Sequence, residues 1–443
     1  MSRVFLGLGS NLGDRVRNLS IALSELRNLG VVKASSTIFE TEPMGRTDQP
    51  HFLNAACEMH TTLRPGELLD SLKMIEEKQG RVNGERWGAR TVDIDVLLWE
   101  DKVIKETSGA GRDVEVPHPR MLERGFVLHP LASIAPTAVH PVKRVSVKDA
   151  LTQLPDQGVT EVMPVKGRLW KLNSKAYVMG VLNVTPDSFS DGGKYSKSVQ
   201  DAVEHARVML GQGADIIDVG AESTRPGAST IPCHAQIERA IPIIEAIAGS
   251  MDIPLSIDTR SAAVAQAAVT AGACIVNDVS GGTHDERMLS TVAQLQVPFL
   301  CMHMRGDPTS MASMTQYDDL IEDVIDSLKG RRDAAQAAGI PRFMQVMDPG
   351  IGFAKTGAQN LHLLHHLQRI RDEVGCPVLV GASRKKFIGE ICGLSAASDR
   401  DWGTAGACVA AAERGASILR VHNVGGIKQS LQVLDAIRSA GIM

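Results

Sequence analysis

The chain has 443 residues, too many for one ordinary core, so two or three domains are expected. With 43% hydrophobic and 22% charged residues it reads as a globular protein and not a disordered one. A formal net charge of −4 gives no reason to expect nucleic acid or an anionic membrane as partner, so an anionic ligand must be held by individual Arg and Lys side chains.

Residues 4–9 form a short apolar run followed by the turn Ser10-Asn11-Leu12-Gly13-Asp14. Helical spacing of Leu19, Ala22, Leu23 and Leu26 predicts a helix over 18–29, stopped by Gly30. Strand patterns follow at 31–41 and 52–62. A helix is predicted over 65–79, with Pro65 suited to its first turn. A strand is then expected at 91–99. This order suggests an α+β sandwich on an antiparallel sheet. The pattern weakens over 154–174, and a linker is placed at 156–174, between a first domain at 1–155 and a second at 175–443.

The second domain is a strand–helix series. Short apolar runs recur at 176–182, 214–219, 253–257, 274–276, 297–302, 343–347, 377–380 and 417–421. Helical stretches fall between them, among them 198–210, 235–248, 317–338 and 359–370. Buried strands alternating with helices imply a parallel sheet, and eight units of this size match a closed (β/α)8 barrel. A doubly wound open sheet is the alternative. Nearly every strand ends in a polar residue: Asn183, Asp218, Asp258, Asn277, His303, Asp348, Ser383 and His422. Single polar residues there often cap helices. Eight at equivalent positions fit a barrel mouth, where such enzymes build their sites.

In the first domain, Asp93 and Asp95 lie two apart on a strand, so their carboxylates share a face about 6.5–7 Å apart. Such a pair can bridge magnesium ions that carry nucleotide phosphates, and Arg81, Arg86 and Arg90 upstream suit phosphate oxygens. A solvated strand face with ion pairs is the competing reading of a bare Asp-x-Asp. The segment RWGARTVDID (86–95) resembles the signature of 6-hydroxymethyl-7,8-dihydropterin pyrophosphokinase. LGLGSNLGDR (6–15), ETEPMG (40–45), FLNAA (52–56), EKQGR (77–81), VPHPRMLERGF (116–126) and PLASIAP (130–136) extend the match. The resemblance implies a ferredoxin-like α+β fold and pyrophosphate transfer from ATP to the pterin hydroxymethyl, releasing AMP. It also implies two magnesium ions on Asp93 and Asp95. ATP contacts are expected from Glu76, Arg81, Arg86, Trp87, Arg90, His118 and Arg124, with Arg81 and Arg90 catalytic. Pterin contacts are expected from Thr41, Pro43, Met44, Asn54 and Phe126, the last by stacking. Where some relatives carry Tyr after the motif's His, this chain has Pro119.

In the second domain, Asn183 precedes a Pro- and Gly-rich loop, and Glu222–Gly227 forms another polar loop at the same end. Asp258, Asn277 and Asp348 suit a flat heterocycle with a guanidine-like edge. Lys385, Arg420 and His422 offer positive charge to an anionic leaving group. VLNVTPDSFSDGG (181–193), DIIDVGAESTRPGA (215–228), SIDT (256–259), IVNDVSG (275–281), MHMRG (302–306), DPGIGFAK (348–355), GASRKKFIG (381–389) and ILRVHNV (418–424) resemble dihydropteroate synthase. That family condenses the pterin pyrophosphate with p-aminobenzoate, giving dihydropteroate and pyrophosphate by a dissociative displacement. The resemblance implies a pterin pyrophosphate site of Asn183, Asp258, Asn277, Asp348, Lys385, Arg420 and His422, the last three catalytic, with one magnesium ion at Asn183. It implies a p-aminobenzoate pocket of Thr224, Arg225, Pro226, Phe353 and Lys386, with sulfonamides as competing ligands. A homodimer through the barrel is expected by analogy. Lys386, Ala221 and Ala354 depart from the common Ser, Gly and Gly.

Two other functions remain for the barrel: a methyl-transferring pterin domain, or a catalytically inactive binder. The seven cysteines are scattered, with no Cys-x-x-Cys pair, as isolated thiols in a reducing compartment are. Polar residues follow Met1 too soon for a signal peptide, no transit peptide is visible and no apolar run spans a bilayer, so the cytoplasm is expected. His362, His365 and His366 have helical metal-face spacing but lack acidic or Cys neighbours, so ordinary packing is expected there.

Overall fold

The computed structural model describes residues 1–43, 48–80, 88–184, 199–222 and 231–440, which group into two compact units. The first comprises Met1–Pro164 with Leu169–Lys171 and Pro341–Phe343; the second comprises the rest.

In the first unit the strands are β1 (Ser2–Ser10), β2 (Val31–Ser35), β3 (Ile38–Thr41), β4 (Phe52–Thr61), β5 (Asp93–Trp99), β6 (Ile104–Thr107), β7 (Asp113–Val116), β8 (Thr160–Val165) and β9 (Arg168–Lys171). The helices are α1 (Arg15–Leu26), α2 (Pro65–Lys78), α3 (Gly125–Ile134) and α4 (Val147–Gln153). The main sheet runs β5-β1-β4-β3-β8-β9, with β2 also on β4, and β6-β7 is a separate ribbon. This is the ferredoxin-like α+β arrangement expected. α1 begins at the Asp14 cap, whose side chain accepts the Arg17 N–H at 3.0 Å, and buries Leu19, Ala22, Leu23 and Leu26.

Two expectations need correction. The run 31–41 is two strands, and 156–174 is not an unstructured linker. Thr160–Val165 pairs with β3 and is followed by β9, so these residues finish the first sheet. The turn between them, Lys166-Gly167, has φ of 48° and 71°. Positive φ at both central residues is the hairpin geometry that matches strand twist, and a non-glycine first residue hides it in sequence.

The second unit is built from β10 (Tyr177–Asn183), β11 (Ile216–Gly220), β12 (Leu255–Asp258), β13 (Ile275–Asp278), β14 (Phe299–Met302), β15 (Gln345–Asp348), β16 (Leu379–Val380) and β17 (Ile418–Val421). Around them lie α5 (Val199–Gly211), α6 (Cys233–Ser250), α7 (Ala262–Thr270), α8 (Met288–Leu295), α9 (Leu320–Ala338), α10 (Gly357–His365), α11 (Leu367–Val374), α12 (Lys386–Cys392), α13 (Asp401–Glu413) and α14 (Val424–Ala440). The parallel sheet runs β15-β14-β13-β12-β11-β10-β17-β16, and a parallel bridge from Met347 to Val378 closes the ring. The (β/α)8 barrel is therefore the fold, and the open sheet is excluded. The helix expected over 359–370 is broken at His366, leaving α10 and α11.

Candidate active sites

The first site lies on the sheet face of β1, β4 and β5, around a cavity of about 290 Å³. Asp93 and Asp95 both line it, as do Thr41, Asn54, Arg90, His118, Arg120, Arg124 and Phe126. Their register places Gly9 opposite Asp93 and Gly7 opposite Asp95. Neither neighbour has a side chain to intrude on the cavity: a Cβ on Gly7 would lie 3.3 Å from the Leu97 side chain, and one on Gly9 3.4 Å from Asn54 Oδ1. The donors are hard oxygen ligands, which is what magnesium takes, with phosphates and water completing its shell. Among the described residues no cluster of three metal-ligating side chains occurs, so protein ligands alone would not complete one.

Arg90 pairs with Asp93 at 2.7 Å, and its backbone is tied down from the β1 turn. Asn11 Oδ1 accepts the Arg90 N–H at 2.7 Å, while the Asn11 and Leu12 N–H groups donate to the Arg90 carbonyl. His118 Nδ1 accepts the Arg120 N–H at 3.2 Å, which leaves Nε2 facing Asp95 at 4.0 Å. Burial holds the His118 imidazole below its ordinary value, against the pull of Asp95. Buried Asn54 donates to Thr41 Oγ1 at 2.9 Å, and the Arg124 guanidinium lies 5.4 Å from the Phe126 ring centre.

Glu76 is not placed as a nucleotide contact. It is fully buried behind β5, accepting the Ile94 N–H and the Lys73 ammonium, each at 2.7 Å. Burial raises its carboxyl above the usual range, with Lys73 opposing. Pro43 is buried but does not line the cavity. Arg81, Arg86, Trp87 and Met44 lie outside the described residues, as do Thr224, Arg225 and Pro226 of the second site.

The second site is the mouth of the barrel, a cavity of about 830 Å³. Of the eight strand-end polar residues, Asn183, Asp258, Asn277, Asp348, Ser383 and His422 line it, joined by Phe353, Lys385, Lys386 and Arg420. Asp218 and His303 instead sit behind the lining. Asp218 Oδ2 accepts Arg420 Nε at 2.6 Å and Asn277 Nδ2 at 3.1 Å, while Asp258 Oδ2 accepts Arg420 Nη2 at 2.8 Å. Although burial opposes its charge, these carboxylates hold the Arg420 guanidinium above its ordinary value. Two Arg420 nitrogens are thus spent on protein carboxylates, a role sequence spacing does not reveal.

Burial pushes the Asp258 carboxyl up to about 7 and the Asp348 carboxyl up to about 6. The Gly350 N–H donates to Asp348 Oδ1 at 2.7 Å. Ser383 and His422 Nδ1 are hydrogen-bonded at 2.9 Å, and the Lys385 ammonium lies 4.2 Å from the centre of the Phe353 ring. Gly220 stands in register with Asn183 and leaves its amide open on that side. Lys386 sits at the rim with its side chain 88% exposed and pairs with Glu390 at 3.3 Å, so it points to solvent.

An acid–amide–cation mouth suits a flat, donor-edged heterocycle, and a same-face carboxylate pair suits metal-bound phosphates, the two chemistries of a pterin-handling transferase. Family models agree: one for 7,8-dihydro-6-hydroxymethylpterin-pyrophosphokinase matches residues 5–136, and one for pterin binding enzymes matches 179–422. The mitochondrial folate synthesis bifunctional protein of Arabidopsis thaliana is 41% identical over 464 residues, covering 98% of this chain and 83% of its own. Its Pisum sativum counterpart is 40% identical, with 98% and 89% covered. The Xanthomonas albilineans dihydropteroate synthase solved with 4-aminobenzoic acid is 42% identical, covers 63% of this chain and 98% of its own, and superposes with a TM-score of 0.58. Plasmodium falciparum HPPK-DHPS solved with pteroate, 21% identical, covers 98% and 97% with a TM-score of 0.79, showing the shared two-unit fold. The chain belongs to the family of bifunctional folate synthesis proteins, with a hydroxymethyldihydropterin pyrophosphokinase unit and a dihydropteroate synthase unit.

Proposed function

We propose that the Asp93–Asp95 face binds the ATP phosphates and that the barrel mouth binds the pterin pyrophosphate made there. The observation that carries the first assignment is the register of both aspartates against Gly7 and Gly9. Asp93 and Asp95 would hold two magnesium ions and Asn183 one, and the metal would supply charge neutralisation of the phosphate oxygens. Arg90, Arg124 and His118 orient the phosphates, with Arg81, Arg86 and Trp87 completing the nucleotide contacts. Asn54 and Thr41 hold the pterin edge, Phe126 stacks on its ring, and Met44 completes that pocket.

In the barrel, Asp258, Asn277 and Asp348 accept and donate along the pterin edge. Lys385, Arg420 and His422 stabilise the charge that develops on the departing pyrophosphate. Phe353, with Thr224, Arg225 and Pro226, forms the p-aminobenzoate pocket, where sulfonamides compete. Lys386 reaches the arylcarboxylate only by leaving Glu390. The domains are read as 1–155 and 175–443, with β8 and β9 from the intervening segment completing the first sheet. We place the protein in the cytoplasm. No helix among the described residues is long and apolar enough to cross a membrane. A homodimer through the barrel is favoured by the exposed Trp402, Val433 and Ile437.

The test is an incubation of hydroxymethyldihydropterin, ATP and magnesium with and without p-aminobenzoate, scoring AMP and dihydropteroate separately. AMP in both and dihydropteroate only with p-aminobenzoate is expected. AMP alone would leave the barrel a pterin binder without the condensation, as in the methyltransferase-like or inactive readings.

A further inference from the structure

Lys355 carries a charged side chain into the barrel wall, yet no role above uses it. Its ammonium donates to His303 Nδ1 at 3.0 Å, to the Gly350 carbonyl at 3.1 Å and to the Phe353 carbonyl at 2.9 Å. Three donors meet three acceptors, which is the full complement of a protonated amine and one more than a neutral amine can supply. His303 is 2% exposed, and burial, then Lys355 itself, hold its imidazole well below its ordinary value; the ring is neutral, and opposite a protonated amine, which has no lone pair, its Nδ1 is the acceptor.

Two of the acceptors, the Gly350 and Phe353 carbonyls, belong to the loop between β15 and α10. In it Gly350, Gly352 and Ala354 have φ of 72°, 79° and 50°, so alternate residues take the left-handed conformation. An alanine adopts that hand only when surrounding contacts hold it. Tyr317 Oη donates to the Ala354 carbonyl at 3.0 Å, and the Gly352 N–H donates to Asn360 Oδ1 at 2.7 Å. A Cβ on Gly350 would lie 2.0 Å from the His303 carbonyl oxygen, so the loop rests on the end of β14. Gly350 thus uses its carbonyl for Lys355 and its N–H for Asp348, while Phe353 offers its carbonyl to Lys355 and its ring to Lys385.

We propose that Lys355 is a positioning residue for the condensation: by clasping His303, Gly350 and Phe353 it fixes Asp348 and the Phe353 ring in the geometry that substrate needs. This rests on the barrel-mouth reading above. The clasp is pH-sensitive. Burial brings the Lys355 ammonium down to about 7, with Asp348 favouring its charge and Arg305 and Lys385 opposing it; Tyr317 and Arg331 are the other ionisable groups near His303. A depressed amine keeps its third proton below that pH and loses it above, so the clasp opens as pH rises.

The experiment uses the full chain, supplied with pterin pyrophosphate and p-aminobenzoate, across a pH series. Wild type should lose kcat/KM on the alkaline side of neutrality. Lys355→Met should raise KM for both substrates about ten-fold, by loss of a charged hydrogen-bonding group, and should lack that alkaline limb. AMP formation from ATP should be unchanged. His303→Leu removes one acceptor, so its limb should move to lower pH. An unchanged KM and a persisting alkaline limb in folded Lys355→Met would overturn the proposal. Should that variant not fold, an unshifted limb in His303→Leu would overturn it instead. Lys385→Ala is the control: if it too is without effect, the barrel-mouth reading fails; if it alone is impaired, only the clasp fails.

Discussion

Glu76 accepts the backbone N–H of Ile94 at 2.7 Å, between the two aspartates that face the first cavity. A buried carboxylate on α2 therefore fixes the strand segment whose alternation presents Asp93 and Asp95 to one side. Lys73, at 2.7 Å, offsets the burial of its charge.

Glu76→Ala should lower stability and weaken magnesium dependence together. It strands a buried N–H and a lysine, a loss of about 1–3 kcal/mol. Glu76→Gln keeps an acceptor for Ile94 and should be milder. Thermal melting and a magnesium titration of AMP formation check this, and an unchanged titration in Glu76→Ala would deny the link.

Lys385→Ala should impair dihydropteroate formation and spare AMP formation. One charged contact to a buried heterocycle is worth roughly 1.5–3 kcal/mol, or about ten- to hundred-fold. Steady-state rates at low pterin pyrophosphate read it out; an undiminished rate would remove Lys385 from the site.

Pterin affinity of the barrel should fall in acid. Asp258 and Asp348, raised to about 7 and about 6, are ionised above those values and protonated below them. A ligand edge of N–H donors needs ionised acceptors, so the carboxylate contribution to binding declines as pH falls through both values, towards ten-fold per pH unit for each carboxyl, on the acid side of the alkaline limb set by Lys355. Calorimetric titration from about pH 8 to 5 would show this decline, and a flat affinity would mean that neither carboxyl meets the pterin.

Where side-chain periodicity and strand ends set the structure, the sequence was legible. The eight barrel strands, their polar ends and the shared face of Asp93 and Asp95 all follow from alternation and spacing. What could not be read depends on contacts between distant positions. The resemblance implies a nucleotide contact at Glu76, and only its burial shows the side chain to lie behind the strand. Asp218 looked like one strand end among eight, although it orients Arg420 and Asn277. Asn11 was visible only as a turn residue, although it anchors Arg90 across 79 positions. The hairpin at Lys166-Gly167 lacks the usual Asn-Gly signal, so its two strands look like linker in the sequence.

The central claim is that two separate sites on one chain perform consecutive steps, and Asp95→Ala tests it most directly. With hydroxymethyldihydropterin, ATP and magnesium the variant should form no AMP above background, because one carboxylate of the same-face pair is gone. Given preformed pterin pyrophosphate and p-aminobenzoate, the same preparation should make dihydropteroate at the wild-type rate. A folded variant that failed on the supplied intermediate would contradict the account and mean that the two units share one active centre.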